Sequence, residues 1–358
     1  MTSFLVFAAL KDIAGYRPEV FYVFSIFLHF INCLLLRTLI SRLWGNIRIA
    51  YLAAVLFAVV QAPQEAILWL AAMGEPLVAF CLLSAILLWL KDRYILSALM
   101  FGFGLFSKES GVILLVLLPL IQWQRGKPLF PKRYFLFLIP TAVFGGVFLW
   151  TWSKNSYIQG GIYDAGPHAA LVFVKTLNRL LWPWFYSLLV AFRIDTGRWP
   201  DWRRALPYLP WLGAAMAPYL FLTYQGALPS RHVYLISMVL DAGTAFLIYN
   251  LRSVRLQQTF VAAFLSFNVG YLWIRKDAQF EGRAKPTTEL LRLLRSHAPT
   301  PVMVYDFPYT ETMLARDVAP LAPGWTPALI EVHSTTETCL DCVSLRWDPK
   351  SGTYIGPW

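Results

Sequence analysis

From residue 20 to residue 274 the chain repeats one device, a long apolar run followed by a short join that carries its polar residues. Runs fall at 20–40, 49–62, 77–90, 94–106, 111–123, 134–152, 169–192, 206–224, 233–250 and 257–274. Crossing the ~30 Å hydrocarbon core of a bilayer as a helix takes roughly 20 apolar residues, and helices inside a bundle can be shorter. Lipid offers no partner for free backbone N–H and C=O groups, so such runs fold as helices. With 58% hydrophobic and 14% charged residues, the composition lies far from that of a soluble domain. The predicted fold class is an all-α polytopic membrane protein of about ten transmembrane helices, followed by a small external α/β domain.

Charge is distributed by side. If the runs alternate in direction, one set of joins holds Arg42, Arg48, Lys91, Arg93, Arg125, Lys127, Lys132, Arg133, Arg193, Arg198, Arg203, Arg204, Arg252 and Arg255, and the opposite set holds Lys108, Lys154 and Arg231. The positive-inside rule makes the first set cytoplasmic and puts both termini outside. The net charge of +11 therefore reports topology, and because it is spread over five joins it forms no nucleic-acid-binding face. Three regions are expected: 1–19, external and juxtamembrane; 20–275, the helical membrane domain; and 276–358, the small external domain. Within the last, KPTTELLRLLRSH has helical leucine spacing, and PVMVYDF and ALIEVHS read as short strands. No fixed repeat is present, which excludes solenoids. Cys33 and Cys81 lie in apolar runs, whereas Cys339 and Cys342 lie in the external tail, where a local disulfide fits better than a metal site.

The external joins gather the unusual polar residues: Glu65 and Glu75 in QAPQEAILWLAAMGEP, Lys108 and Glu109 in SKES, Asp164 and His168, then Arg231 and His232 in GALPSRHVY. Each taken alone has an ordinary reading, such as a snorkelling lysine, a broken helix end, an interface anchor or, for His29, a packing histidine. Their coincidence on one face points instead to a site, because ionisable groups at membrane depth are retained where they are paired or face a wet cavity. Two carboxylates and two or three cations can hold a divalent metal and the phosphate of a lipid headgroup.

The ordered segments HFINCLLL, LFAVVQAPQEAILWLAAMGEPL, LFSKESGVILLVLLPL and SRHVYLIS resemble the GT-C superfamily of multispanning glycosyltransferases, in particular its protein-mannosyltransferase-like branch, over roughly residues 16–250. Ser107, Lys108 and Glu109 match the family's turn directly. Glu65-Ala66 stands at its Glu-Ala position, but Val60-Gln61 replaces its His-Pro pair. Glu75 stands where Asp is common, with Met73 in place of an Arg. Arg231, Tyr234 and Ser237 match an R-Y-x-Y-like segment, with His232 in place of its first aromatic residue.

The resemblance implies transfer of a sugar from a polyprenyl-phosphate donor to a protein or glycan acceptor on the external face, the chain lying multi-pass in a bacterial inner membrane with a periplasmic site. On that reading Glu65 and Glu75 are the catalytic carboxylates, Glu65 being the ligand of a divalent cation such as Mg or Mn. Lys108, Glu109, Arg231, His232 and Tyr234 bind substrate and phosphate. The family's catalytic Asp belongs to a first external loop that has no counterpart here, Asp12 standing in a different context, so a truncated N-terminus is expected. Trp69, Trp182 and Trp184 are candidates for sugar stacking. A transporter or lipid flippase, or a non-catalytic membrane scaffold, is the alternative.

Overall fold

The computed structural model describes residues 2–15, 17–155, 163–164, 166–200, 208–309, 312–333 and 342–356. It divides into two compact units, Met1–Val269 and Gly270–Trp358, with the boundary six residues before the one expected from composition.

The first unit is helical. Its helices are α1 (Thr2–Ala14), α2 (Pro18–Trp44), α3 (Ile47–Val59), the short α4 (Gln64–Leu68), α5 (Gly74–Trp89), α6 (Tyr94–Ser107), α7 (Leu114–Gln124) and α8 (Leu138–Lys154), followed by α9 (His168–Leu181), α10 (Trp184–Thr196), α11 (Leu209–Leu220), α12 (Tyr234–Tyr249) and α13 (Val254–Tyr271). Among the described residues, four helical stretches are long and apolar enough to cross a membrane: Pro18–Trp44, Leu70–Trp89, Lys132–Lys154 and Ser230–Tyr249. Ile47–Val59, Tyr94–Ser107 and Glu109–Gln124 are apolar but shorter. The run expected as one helix over 169–192 is two, α9 and α10, separated at Trp182 and Pro183. Proline supplies no N–H and crowds the preceding turn, so a helix ends more readily than it continues there.

Two helices form the heart of the unit. α5 and α12 are sheathed by their neighbours, whereas α8 has no buried residue and exposes Val143, Leu149 and Trp150. Small side chains bring backbones together: Ala50, Ala53 and Ala54 are buried on α3, which lies against α12. Close approach is tightest around the α6–α7 join. A Cβ on Gly111 would stand 3.0 Å from backbone atoms of Gly104 and Leu105, and one on Gly74 would stand 3.2 Å from the Ser107 carbonyl oxygen. Glycine at these positions lets the Lys108 turn rest directly on the start of α5.

The second unit contains α14 (Asp277–Ser296), β1 (Val302–Tyr305), the short α15 (Met313–Asp317), β2 (Ile330–His333), β3 (Val343–Asp348) and β4 (Thr353–Ile355). The sheet has the order β2-β1-β3-β4. β1 runs parallel to both β2 and β3, and β4 closes antiparallel on β3. Its own core joins Leu290 and Leu294 of α14 to Val302, Val304, Ile330 and Leu345. Cys339 and the basic residues Arg203 and Arg204 lie outside the described residues, and so therefore do the expected 339–342 pairing and part of the charge count.

Candidate functional site

Four joins converge at one end of the first unit. Ser25 of α2 donates to the Ile67 carbonyl at 2.7 Å, fixing α4. The Ser230 hydroxyl donates to the Ala62 carbonyl and accepts from the Glu65 N–H at 3.3 Å, so the turn before α12 is bonded to the turn after α3. The Arg231 guanidinium thereby comes within 3.9 Å of the Glu65 carboxylate and lies over the Trp69 ring, 5.0 Å from its centroid.

Deeper in, Glu75 is fully buried and is engaged at both carboxylate oxygens. Oε1 accepts from the Lys108 ammonium and from His232 Nδ1 at 3.0 Å, and Oε2 accepts from the Tyr219 hydroxyl at 2.7 Å. With Nδ1–H turned to Glu75, His232 presents Nε2 to the Tyr224 hydroxyl at 3.3 Å, and that hydroxyl accepts from Arg231 Nη2 at 3.0 Å. A single chain of donors thus runs from the half-exposed Arg231 through Tyr224 and His232 to the buried carboxylate. Lys108 also lies 5.4 Å from the Tyr219 ring centre. Such a network holds a buried charge only while every member stays satisfied.

The sequence-predicted residues separate into distinct environments. Glu65, Glu75, Lys108, Arg231 and His232 come together as expected, but with unequal access. Glu75, expected as a catalytic carboxylate, and Lys108, expected at a phosphate, neutralise each other, their side chains 1% and 16% exposed. Arg231 and Glu65 are more open, at 29% and 20%. Glu109 is exposed and faces Tyr163, whose hydroxyl is pushed above the usual phenol range by burial and then by the Glu109 charge. Asp164 and His168 pair with each other at 3.3 Å, and His168 Nε2 bonds the Leu222 carbonyl at 3.1 Å. Tyr234, expected to contact substrate, lies instead in the bundle interior with no exposed surface, its hydroxyl 2.7 Å from His29 Nδ1 and 3.1 Å from Asn32 Nδ2. Tyr234 is the first residue of α12 and belongs to the face that the helix buries, together with Ser237, Asp241 and Thr244. Trp184 packs on Phe264 and Phe267, whereas Trp182 is exposed.

Glu75 accepts from three donors, Glu65 faces the Arg231 guanidinium at 3.9 Å, and among the described residues no three His, Cys, Asp or Glu side chains converge as they would around a metal ion. Sequence reasoning missed Tyr219 and Tyr224, which complete the donor chain. The available signal was the pair of tyrosines in PYLFLTYQG, at the end of an apolar run on the side already holding the charges.

An apolar cavity of about 910 Å³ lies further along the bundle; no cluster side chain lines it, and its lining runs from Ala79, Ile113 and Leu235, four or five residues on from Glu75, Lys108 and Arg231, to Trp44 and Asn250. Its volume is near the upper end of pockets that accept small molecules, roughly 300–1,000 Å³. No protein-family model matches the chain, and no curated protein matches it significantly.

Proposed function

We propose that the chain is a multispanning membrane protein of about ten crossings that binds a polyprenyl-phosphate sugar at this cluster and serves its transfer to an acceptor on the external face. The observation that carries the reading is Arg231. It is half-exposed, spends one N–H on Tyr224, and stands too far from Glu65, at 3.9 Å, for a hydrogen bond. A guanidinium has five N–H donors in a fork that matches a phosphate. The apolar cavity whose lining starts four residues on from Arg231, at Leu235, suits an isoprenoid or acyl chain, and the ordered GT-C-like motifs point the same way.

The structure-based assignment of roles differs from the sequence-based one. Arg231 holds the phosphate, with Trp69 beside it as the surface for a sugar ring. Glu65 limits the freedom of Arg231 and is more open to an incoming acceptor than Glu75. Lys108, Tyr219 and His232 hold Glu75, and through His232 and Tyr224 they hold the angle of the guanidinium. The leaving phosphate gains charge as the glycosidic bond breaks, and a cation fixed in place beforehand favours that change.

The test uses the full chain in lipid nanodiscs. Polyprenyl phosphate should bind more tightly than the uncharged polyprenol, and Arg231→Gln should abolish that preference, a loss of about 10- to 150-fold if one charge-assisted hydrogen bond of about 1.5–3 kcal/mol disappears. Labelled sugar should pass from the polyprenyl-phosphate donor to an acceptor in the wild type and fail to pass in the variant. Equal binding of phosphate and alcohol would reject the site. Phosphate-dependent binding with no sugar transfer, but with movement of the lipid between leaflets, would favour the flippase alternative.

A further inference from the structure

A second polar feature lies below the charged cluster and takes no part in it. On α12, Tyr234, Ser237, Asp241 and Thr244 are all buried and fall at i, i+3, i+7 and i+10, a single helical stripe. Facing its upper part is the α2 pair His29 and Asn32, both bonded to the Tyr234 hydroxyl. Cys33 follows, its sulfur 3.9 Å from His29 Nε2 and within electrostatic reach of Asp241. Asn32 also donates to the carbonyl of Pro76 at 2.9 Å, the residue after Glu75. The column therefore begins one residue from the charged cluster and descends to Asp241, seven residues or ~10 Å further along α12.

Three of its atoms are buried and lack a hydrogen-bond partner among the described residues: Asn32 Oδ1, Ser237 Oγ and Asp241 Oδ2. They lie at successive levels of the column. Asp241 is 4% exposed and forms no ion pair among the described residues. The other ionisable groups on the helices around α12 are engaged elsewhere. Glu75 of α5 and Tyr219 of α11 belong to the cluster, Tyr51 of α3 is bonded to Arg37, and Asp195 of α10 accepts from the Arg252 N–H. Arg48 of α3 and Arg193 of α10 sit in the end turns of their helices, remote from the middle of α12, and Cys81 of α5 is buried. An isolated carboxylate in such surroundings is strongly disfavoured.

We propose that Asp241 is a proton-binding site, loaded from the charged end through the Tyr234 and Ser237 hydroxyls, with Asn32 positioning the first of them. One proton leaves bulk water, an O–H bond forms at Asp241 Oδ2, and the carboxylate charge is cancelled. The proton travels over water between the hydroxyls of Tyr234 and Ser237, each of which gives up its own proton on the Asp241 side and takes one on the cluster side and so ends unchanged, while the Asn32 amide, which donates to Tyr234 and to the Pro76 carbonyl, orients the Tyr234 hydroxyl without carrying the proton. The protonated acid becomes a donor for a water shared with the Ser237 hydroxyl one turn back, the two side chains lying beyond hydrogen-bond distance of each other. The unpaired acceptors along the way are positions that buried water bridges. A proton is favoured over a metal cation because the orphaned oxygens are strung along the helix instead of gathered round one point. The proposal is independent of the glycosyltransferase reading, and a proton site inside the bundle would serve a transporter equally well.

Infrared spectroscopy of the full chain in nanodiscs tests it, with ¹³C-labelled aspartate to identify the band even if Asp241→Asn fails to fold. At neutral pH a protonated-carboxyl stretch should appear, move with the isotope label and vanish in Asp241→Asn. On transfer to D₂O it should shift promptly, and in Tyr234→Phe the shift should slow by at least about tenfold, since exchange must then wait for local opening. Absence of the band, its failure to shift in D₂O, unchanged exchange in Tyr234→Phe, or displacement of the band by sodium would each overturn the proposal.

Discussion

Lys108 shows how a residue legible in sequence can change role in structure. The serine-lysine-glutamate turn marks it as functional, and adjacency to Glu109 suggests a surface charge. Only the fold reveals that its partner is Glu75, thirty-three positions away. Replacing Lys108 by Gln leaves a fully buried carboxylate with its cation gone, a change that typically costs about 3–5 kcal/mol. The expected result is a marked fall in thermal stability in detergent, largely restored by Glu75→Gln in the same chain. Unchanged stability in the single variant would mean that Lys108 only solvates the turn. Gly111→Ala should also destabilise, by about 1–3 kcal/mol, because its Cβ would press on backbone that cannot step aside. Arg231→Gln should leave stability nearly intact while removing phosphate binding, so thermal denaturation separates the two kinds of cation.

Among the elements, the long apolar helices are legible in sequence and the short strands only partly so, whereas α1, in a stretch expected as the end of an external loop, and the break between α9 and α10 are not. Apolar length and polar joins mark α2, α5 and α12, and the two hydrophobic segments in the tail correspond to β1 and β2. β3 and β4 escaped because VSLRWD and TYI are short and mixed in character, and their strand state depends on pairing with β1 and with each other. The turn joining them is held by Asp348, whose carboxylate accepts from Lys350 N at 3.0 Å and Ser351 N at 3.2 Å. Hydrogen bonds from Ser351 and from the Lys350 amide hold this carboxyl below its usual range. A carboxyl depressed by folding stabilises the turn above its unfolded value, about 3.9, and that contribution is lost as pH falls through the folded value. Amide exchange in β3 and β4 should therefore accelerate on acidification, and Asp348→Asn should remove that acid dependence. The exposed flank of α8 offers a different check. Val143→Arg should oppose membrane insertion by about 2.5–3.5 kcal/mol, whereas Val143→Leu should not, as an insertion assay would register.

For the whole molecule, the partition of basic residues predicts residues 124–133 and 193–205 in the cytoplasm and 276–358 outside. A cysteine introduced at Thr353 should react with an impermeant reagent added to intact cells, and one at Arg198 should not; the reverse pattern would invert the orientation and move the Arg231 cluster to the other side. Sequence alone could assign the charged joins to one face, since alternation and charge bias suffice for that. It could not rank them by access, because which carboxylate is enclosed depends on Tyr219 and on glycine contacts made by distant segments. The Glu75 network also bears on how the protein is made. Lys108 follows Glu75 by thirty-three residues, whereas His232 follows it by one hundred and fifty-seven. During synthesis the carboxylate can be neutralised as soon as α6 and its turn have emerged, long before α12 exists. Glu75, the most deeply enclosed of the carboxylates in the cluster, can thus be paired with Lys108 before the later helices assemble against it.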